Sequence, residues 1–152
     1  MFRVERTSRE DEHLKELVRM LDAELDSVYG NIQSQYNQYN SLASVDGAVL
    51  ATANQQYVAC GCFRRYNQET VEIKRMFVRT EDRGSGAAQI VLSELEKWAR
   101  EAGYSRAILE TGTKQAAAIR FYTKSGYGPI PNYDQYAELE TSVCFAKPLP
   151  NL

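Results

Sequence analysis

Arg83-Gly84-Ser85-Gly86-Ala87-Ala88 follows a predicted strand that ends at Val78 and opens a segment whose apolar residues recur with the period of a helix. The two glycines let the backbone turn sharply and approach a ligand closely. The N-terminus of the helix behind them supplies free N–H groups and the positive end of the helix dipole. With the charge of Arg83 added, this stretch predicts an anion site suited to phosphate or pyrophosphate.

Loops of this kind occur in several classes of protein. A P-loop needs Gly-Lys-Ser/Thr in front of the helix, and the sequence has none. A dinucleotide-binding fingerprint belongs on the first strand of a parallel unit and carries a third glycine, and neither condition holds here. On spacing alone, a plain β-to-α turn that merely uses glycine stays open as the alternative.

The first half of the chain predicts strands around one helix. Phe2–Arg6 alternates weakly and is predicted as a first strand, and apolar residues at helical spacing predict an amphipathic helix from Glu12 to near Leu25, with Gly30 as a stop. Short connections between the next strands predict an antiparallel meander. These strands are Ala48–Ala53, Tyr57–Arg65 and Thr70–Val78.

The second half alternates helices and strands. A helix runs from Gly86 to Gly103 and a second lies around Gln115–Lys124, ending at Gly126. Buried-type strands are predicted at Ala107–Thr111 and Val143–Lys147. The order predicts a mixed α/β fold. At roughly 150 residues per domain, the 152 residues predict one domain spanning 1–152.

Composition excludes several classes of function. Hydrophobic residues make up 43% and charged residues 25%, as in ordinary globular proteins. Eighteen Lys and Arg against twenty Asp and Glu give a net charge of -2, so no nucleic-acid partner is expected. No apolar run exceeds four residues, which argues against a membrane span or a secretory signal. The cytoplasm is the expected location.

The cysteines and the single histidine limit the kinds of disulfide, catalytic site and metal site that the sequence can form. Cys60, Cys62 and Cys144 are too few for a disulfide framework, and Cys60-Gly61-Cys62 is interpreted as buried small residues. His13 is the only histidine and lies in a charged helical pattern, which disfavours a Ser-His-Asp site and any metal site with two His ligands. No metal is predicted, and acid–base work is expected from Glu, Asp, Tyr or Lys.

Ten tyrosines invite a functional interpretation, and several lie in polar connections. Ser27–Val45 carries no charge and is either an irregular surface segment or a loop facing a substrate. Its tyrosines could form an aromatic pocket with those of a later Pro-rich connection, or serve an interface, so a homodimer stays compatible with the sequence. The tyrosines concerned are Tyr29, Tyr36, Tyr39, Tyr133 and Tyr136.

Arg83–Ala88 and the later block Gln115–Tyr127 together resemble the GNAT superfamily of acyl-CoA-dependent N-acetyltransferases. The first block is similar to the pattern Arg/Gln-x-x-Gly-x-Gly/Ala, and the second to Asn-x-x-Ala…Tyr-x-x-x-Gly-Phe/Tyr, with Gln115 where many members have Asn. The resemblance covers residues from Ala48 to Lys147 and is specific to the superfamily, not to a substrate. It implies a single-domain fold with a mixed, mostly antiparallel sheet of about six to seven strands flanked by helices and splayed between the fourth and fifth strands.

The resemblance also implies acetyl-CoA as co-substrate. The backbone of Met76–Val78 would hold the pantetheine arm as an extra strand, and N–H groups of the glycine loop would bind the pyrophosphate. The implied cofactor-binding residues are Met76, Phe77, Val78, Arg83, Gly84, Ser85, Gly86, Ala87, Ala88, Gln115, Ala118 and Phe121.

Members of the superfamily transfer an acyl group to an amine by direct attack, without an acyl-enzyme. An alkylammonium with a pKa near 10.4 must first lose a proton, and Glu72, four residues before Met76, stands where the family often has a base. Strand alternation would put Glu72, Lys74, Met76 and Val78 on one face. The alternative for Glu72 is a strand-face carboxylate paired with a Lys or Arg across the sheet.

Tyr122 occupies the position of a tyrosine that many members place near the departing sulfur, where a phenol can protonate the thiolate. The alternative is a core tyrosine beside Phe121. Substrate contacts are expected from Tyr29, Tyr36, Glu110, Thr111 and Tyr133. The sequence thus predicts an N-acetyltransferase acting on a primary amine of a small molecule or amino acid. The alternatives are an inactive acyl-CoA-binding or regulatory module, and a protein that binds another nucleotide.

Overall fold

The computed structural model of the chain describes residues 1–30 and 41–151. Seven strands lie in these ranges: β1 (Arg3–Thr7), β2 (Gly47–Ala53), β3 (Gln56–Arg65), β4 (Thr70–Val78), β5 (Arg106–Gly112), β6 (Gly128–Ile130) and β7 (Ser142–Pro148). The helices are α1 (Glu12–Tyr29), α2 (Ala87–Glu101) and α3 (Ala116–Lys124). The strands form one sheet in the order β1-β2-β3-β4-β5-β7-β6.

Helix α1 begins where the sequence predicts and runs one turn further. The Asp11 carboxylate caps it by accepting hydrogen bonds from the backbone N–H groups of His13 (2.8 Å) and Leu14 (3.2 Å). The helix passes the predicted end at Leu25 because Tyr29 is buried against β5, and it stops at Gly30, whose φ is +60°. None of the described helices combines the length and the apolar character needed to cross a membrane.

Helices cover the two faces of the sheet. Leu14, Leu17 and Leu21 of α1 pack on one face with Leu50 and Phe77. Helices α2 and α3 cover the other face. The core of this second face contains Val49, Phe63, Val71, Ile73, Val91, Leu92, Leu95, Leu109 and Phe145.

The predicted meander is confirmed, because β1 to β4 pair antiparallel in chain order. The short strand β6 was not predicted: it has three residues and contains Pro129, which an edge strand tolerates because it need not donate on both sides. Tyr136 and Cys144 form a small buried cluster under it.

Strands β4 and β5 are the sheet's parallel pair and separate early. They pair only over Thr70–Glu72 with Arg106–Ile108. Beyond Glu72 and Ile108 the strands splay, as the resemblance implies, and the end of β4 has no partner on that side in the described chain. The mixed α/β fold with a sheet splayed between its fourth and fifth strands is therefore confirmed.

A bulge in β4 corrects one prediction about its faces. Cys62 pairs with Lys74 but Cys60 with Phe77, so Gly61 opposes two residues, and Arg75 takes a φ of +58°. The extra residue reverses the alternation. Met76 and Val78 pack against the α2 side of the sheet, while Phe77 packs with α1. The four residues Glu72, Lys74, Met76 and Val78 thus do not share one face, as simple alternation predicted.

Candidate functional site

A groove of about 510 Å³ opens between the end of β4, the glycine loop, and helices α1, α2 and α3. The glycine loop enters it through residues that the sequence analysis selected. The predicted cofactor residues that line it are Met76, Phe77, Val78, Arg83, Gly84, Gly86, Ala87, Ala88, Gln115, Ala118 and Phe121. Ser85 does not line it, and its hydroxyl donates to the Asp82 carbonyl instead.

Both glycines of the loop have left-handed backbone conformations. The φ angles are +79° at Gly84 and +95° at Gly86, and no atom lies within 4 Å of the position that a Cβ would occupy on either. Glycine is thus required at these positions by the backbone and not by crowding. The space beside the loop is open to a ligand.

The N-terminus of α2 points its unpaired N–H groups at this groove. Gly86 is its N-cap, and in the described chain no side chain caps it, whereas Asp11 caps α1. The first N–H groups of a helix have no partner within the helix, and the dipole makes this end attractive to anions. An uncapped N-terminus beside open space is therefore a site that fits a pyrophosphate.

Charged side chains flank the groove. The Arg83 guanidinium donates from Nε to the Val78 carbonyl (3.0 Å) and from Nη2 to Glu24 (2.6 Å), so it is held along the loop although its side chain is exposed. Lys124, at the end of α3, also lines the groove and was missed in the sequence. Lysine is common in the last turn of a helix, where it interacts favourably with the helix dipole, so its presence there did not indicate a binding site.

A second, smaller cleft of about 110 Å³ lies where β4 and β5 separate. It contains Glu72, Glu110 and Thr111, which the sequence analysis proposed for catalysis or substrate contact. The two cavities adjoin, because the same five residues line both: Leu21, Met76, Gln115, Ala118 and Tyr122.

Tyr122 stands at the junction of the two cavities. Its side chain is buried, and its ring meets Phe121 and Tyr127 edge-on at centroid distances of 5.1 and 5.7 Å. Burial raises the pKa of the phenol, and the nearby Glu110 raises it further. Tyr122 therefore keeps its proton at neutral pH.

Glu72 is buried and surrounded by donors. Oε1 accepts from Arg64 Nε at 2.6 Å and lies 3.7 Å from Lys74 Nζ, while Oε2 accepts from the Tyr133 hydroxyl at 2.6 Å. Its side chain is 1% exposed. Arg64 is its direct cross-strand neighbour, so the structure contains the ion pair that the sequence analysis considered as the alternative to a base.

Glu110 is half-buried and lies one strand away, on β5. Its Oε2 accepts from the Ser142 hydroxyl at 2.7 Å. Burial raises the pKa of its carboxyl to about 7, against the opposing effects of Ser142 and Lys74. Glu110 can thus exchange a proton near neutral pH.

Other predicted substrate residues are distributed around the cleft. Thr111 lines the cleft, and the Tyr133 hydroxyl donates a hydrogen bond to Glu72, which lines it. Tyr29 lies behind β5 against Gly112 and lines neither cavity. Tyr36 lies outside the described residues.

The buried cations Lys74 and Arg75 also line the cleft and were missed in the sequence. Arg75 pairs with Asp22 of α1, and burial lowers the pKa of Lys74. Nothing in the strand pattern distinguishes them from surface residues. Within residues 1–30 and 41–151, no three His, Cys, Asp or Glu side chains are grouped so as to hold a metal ion.

Comparison with known proteins identifies relatives. Residues 14–127 match the model of the acetyltransferase (GNAT) family. An IAA acetyltransferase of Azospirillum brasilense is 32% identical over 136 residues, which cover 88% of this chain and 89% of that protein.

Solved structures share the fold. A Klebsiella pneumoniae protein assigned provisionally as an acyl-CoA N-acyltransferase has 26% identity and a TM-score of 0.83, covering 99% of both chains. The PaiA N-acetyltransferase of Thermoplasma acidophilum, solved with coenzyme A, has a TM-score of 0.74 at 15% identity and covers 97% of this chain and 99% of its own. At that identity the likeness concerns the fold alone.

Proposed function

The chain belongs to the acetyltransferase (GNAT) family and is an acyltransferase, and we propose that it transfers the acetyl group of acetyl-CoA to a primary amine by direct attack. The observation that carries the proposal is the junction of two cavities at Tyr122. One cavity ends at an uncapped helix N-terminus suited to a pyrophosphate, and the other contains carboxylates suited to an ammonium.

The groove offers contacts for two parts of coenzyme A, the pyrophosphate and the pantetheine arm. The N–H groups of Ala87 and Ala88 begin α2 and would hold the pyrophosphate, with Arg83 and Lys124 nearby. Met76–Val78 lies beyond the point where β5 leaves β4, so its backbone can pair with the pantetheine arm as a strand would. A backbone N–H there can also polarise the thioester carbonyl.

Tyr122 is the proposed acid for the leaving group. Its phenol stays protonated near neutral pH because burial raises its pKa. A thiol with a pKa near 8.5 is only a moderate leaving group, so donation of a proton to the sulfur assists the step.

The acceptor is proposed to be a small amine or an amino acid. Glu72 and Glu110 give the cleft two carboxylates, which attract an ammonium group and provide candidates for its proton acceptor. A cleft of about 110 Å³ is smaller than the roughly 300–1,000 Å³ of pockets that enclose a drug-sized ligand. It therefore fits the reacting end of an acceptor.

Two further expectations belong to this proposal. Three unpaired cysteines fit a reducing cytoplasmic location. A homodimer stays a prediction, which light scattering on the purified protein would decide.

The test is titration calorimetry with acetyl-CoA, CoA and ATP. We expect micromolar binding of both CoA species and weaker or absent binding of ATP. Gly86→Glu should abolish CoA binding, because it puts a carboxylate at the helix N-terminus. Gly103→Glu is the matched control: Gly103 has nearly the same φ (+97°) and equally open space, but it lies at the far end of α2.

Retained CoA binding by Gly86→Glu, or its loss in Gly103→Glu, would contradict the assigned groove. If the wild type binds CoA, a panel of amino acids and alkyl and arylalkyl amines should yield an acetylated product detectable by mass spectrometry. Binding without any product would reject the enzymatic proposal and leave the groove assignment intact.

A further inference from the structure

We propose that Glu110, and not Glu72, takes the proton from the acceptor amine, and that Glu72 holds the wall of the cleft in place. The inference rests on the proposed function and deepens it, because it selects one of two carboxylates in the same cleft. Geometry carries the choice.

Both carboxylate oxygens of Glu72 already have partners. Arg64 and Lys74 engage Oε1, and the Tyr133 hydroxyl donates to Oε2. To take a proton from an amine, Glu72 would have to weaken one of these contacts in a buried position, which is costly for the donors left behind. Its contacts instead tie β3, β4 and the segment before β7 together.

Glu110 meets the requirements that Glu72 does not. Within the described chain its hydrogen-bond partner is the Ser142 hydroxyl, on Oε2, which leaves Oε1 available to an amine. It follows Ile108, the last β5 residue paired with β4, so it stands at the mouth of the splay. Tyr122, the proposed acid, is close enough to respond to its charge.

The charged and titratable groups around Glu110 come from several elements. Strand β4 contributes Lys74, which favours the ionised form, and Glu72, which opposes it. Helix α3 contributes Tyr122, and the turn before β7 contributes Tyr136, both protonated at neutral pH. Cys144 of β7 is its register partner and stays a thiol, since burial raises its pKa to about 11.

The result of these influences is a carboxyl whose pKa lies at about 7. A base near the working pH combines a useful ionised fraction with enough basicity to accept a proton. Burial is the largest cause of this shift in the pKa of Glu110.

The proton balance follows. The ammonium N–H bond breaks and its proton passes to Glu110, which later releases it to solvent. The freed lone pair forms the C–N bond to the acetyl carbon, and the C–S bond breaks. Tyr122 gives its proton to the sulfur, and the second proton lost by the nitrogen restores the phenol. The products are the amide, CoA thiol and one proton.

The test is the pH dependence of kcat/KM for the wild type, Glu110→Gln and Glu72→Gln, with the best amine of the panel. The wild-type rate should rise with pH through an apparent pKa near 7 and then level off. Glu110→Gln should lose this limb and fall by roughly 10²–10⁴-fold. Glu72→Gln should lose activity but keep the limb, shifted to lower pH because the charge of Glu72 raises the pKa of Glu110.

Ser142→Ala gives a readout that a merely structural role would not move. The Ser142 hydrogen bond lowers the pKa of Glu110, so its removal should shift the acid limb to higher pH. Ser93→Ala, which removes an exposed hydroxyl on α2 bonded to Gln89, should leave the limb unchanged. An unshifted limb in Ser142→Ala, an unchanged profile in Glu110→Gln, or a limb lost in Glu72→Gln would each overturn the proposal.

A measurement without activity separates this inference from the proposed function. Ionising Glu110 costs the folded state, because its pKa is raised from the ordinary 4.5 to about 7. The urea midpoint of Glu110→Gln, relative to that of the wild type, should therefore increase as the pH rises from 4.5 to 7. Above pH 7 the difference between the two midpoints should stay constant. A wild type inactive toward the whole panel overturns both proposals. An active wild type with no pH-dependent stability difference overturns only the assignment of Glu110.

Discussion

Glu72 and Glu110 differ in the number of donors around them, although they lie on neighbouring strands of one cleft. Glu72 is held by Arg64, Lys74 and Tyr133, and Glu110 by Ser142. A carboxylate with donors on both oxygens serves as an anchor, whereas one with a donor on a single oxygen and a raised pKa can exchange protons. The different roles proposed for these two glutamates thus follow from their neighbours and not from their residue type.

Tyr122 is the second residue whose role depends on its surroundings. Tyr122→Phe should lower kcat by about 10²-fold or more, because the sulfur loses its proton donor. The affinity for CoA in calorimetry should change little, since the ring stays in place. Stopped-flow or steady-state kinetics at saturating acetyl-CoA would measure the effect.

Tyr127→Phe is the control for this variant. Tyr127 is also buried and touches the Tyr122 ring, but its hydroxyl donates to Glu96 at 2.9 Å and lines neither cavity. It should lose stability and keep its turnover. A fully active Tyr122→Phe enzyme would reject the acid role.

At the scale of elements, the β4 bulge decides which groups face the cofactor. By placing Arg75 in the left-handed region, it turns Met76 and Val78 to the α2 side and Phe77 to the α1 side. Gly61 lies across from the bulge, and a Cβ there would collide with Met76 Sδ and come within 2.8 Å of Leu95 and Val91. The bulge in β4 therefore requires a glycine at position 61.

Gly61→Ala should destabilise the protein by about 1–3 kcal/mol, because the added methyl overpacks the core opposite the bulge. Urea unfolding followed by circular dichroism would measure the change. Gly128→Ala is the control, since no atom lies within 4 Å of its Cβ position and its φ is not in the left-handed region. Equal stability of the two variants would contradict the role given to Gly61.

Sequence patterns predicted the elements better than their irregularities. The meander, both later helices and the glycine loop follow from periodicity and turn residues, because each is a local property. The bulge at Arg75 has no local signal, since a residue with a side chain occupies the left-handed position that glycine usually marks. The contacts of Glu72 with Tyr133 and of Glu110 with Ser142 could not be predicted, because these partners are 61 and 32 residues away in the sequence.

At the scale of the whole molecule, the stability of the sheet should depend on whether a ligand fills the gap between β4 and β5. Strands β4 and β5 share three residue pairs, and on the far side of the gap the groove is bounded by α3, which follows β5. A ligand that pairs with Met76–Val78 and touches α3 would bridge the two parts. Ligand binding should thus stabilise the entire fold and not a single loop.

Acetyl-CoA at about 100 times its Kd should raise the free energy of unfolding by about 2.7 kcal/mol. For a chain of this size, the melting temperature should rise by roughly 5–10 °C. Differential scanning calorimetry would measure the shift. Gly86→Glu should show none, and a shift of the same size with ATP would argue against a CoA-specific groove.

The three cysteines give the enzyme one practical property. All are unpaired and buried, and burial raises the pKa of Cys62 to about 12 and that of Cys144 to about 11, with Cys60 raised as well. Thiolates, not thiols, attack disulfide reagents, so the native protein should be silent toward Ellman's reagent. Each sulfhydryl that appears during turnover would then come from the product, and the reaction can be followed continuously without correcting for the catalyst.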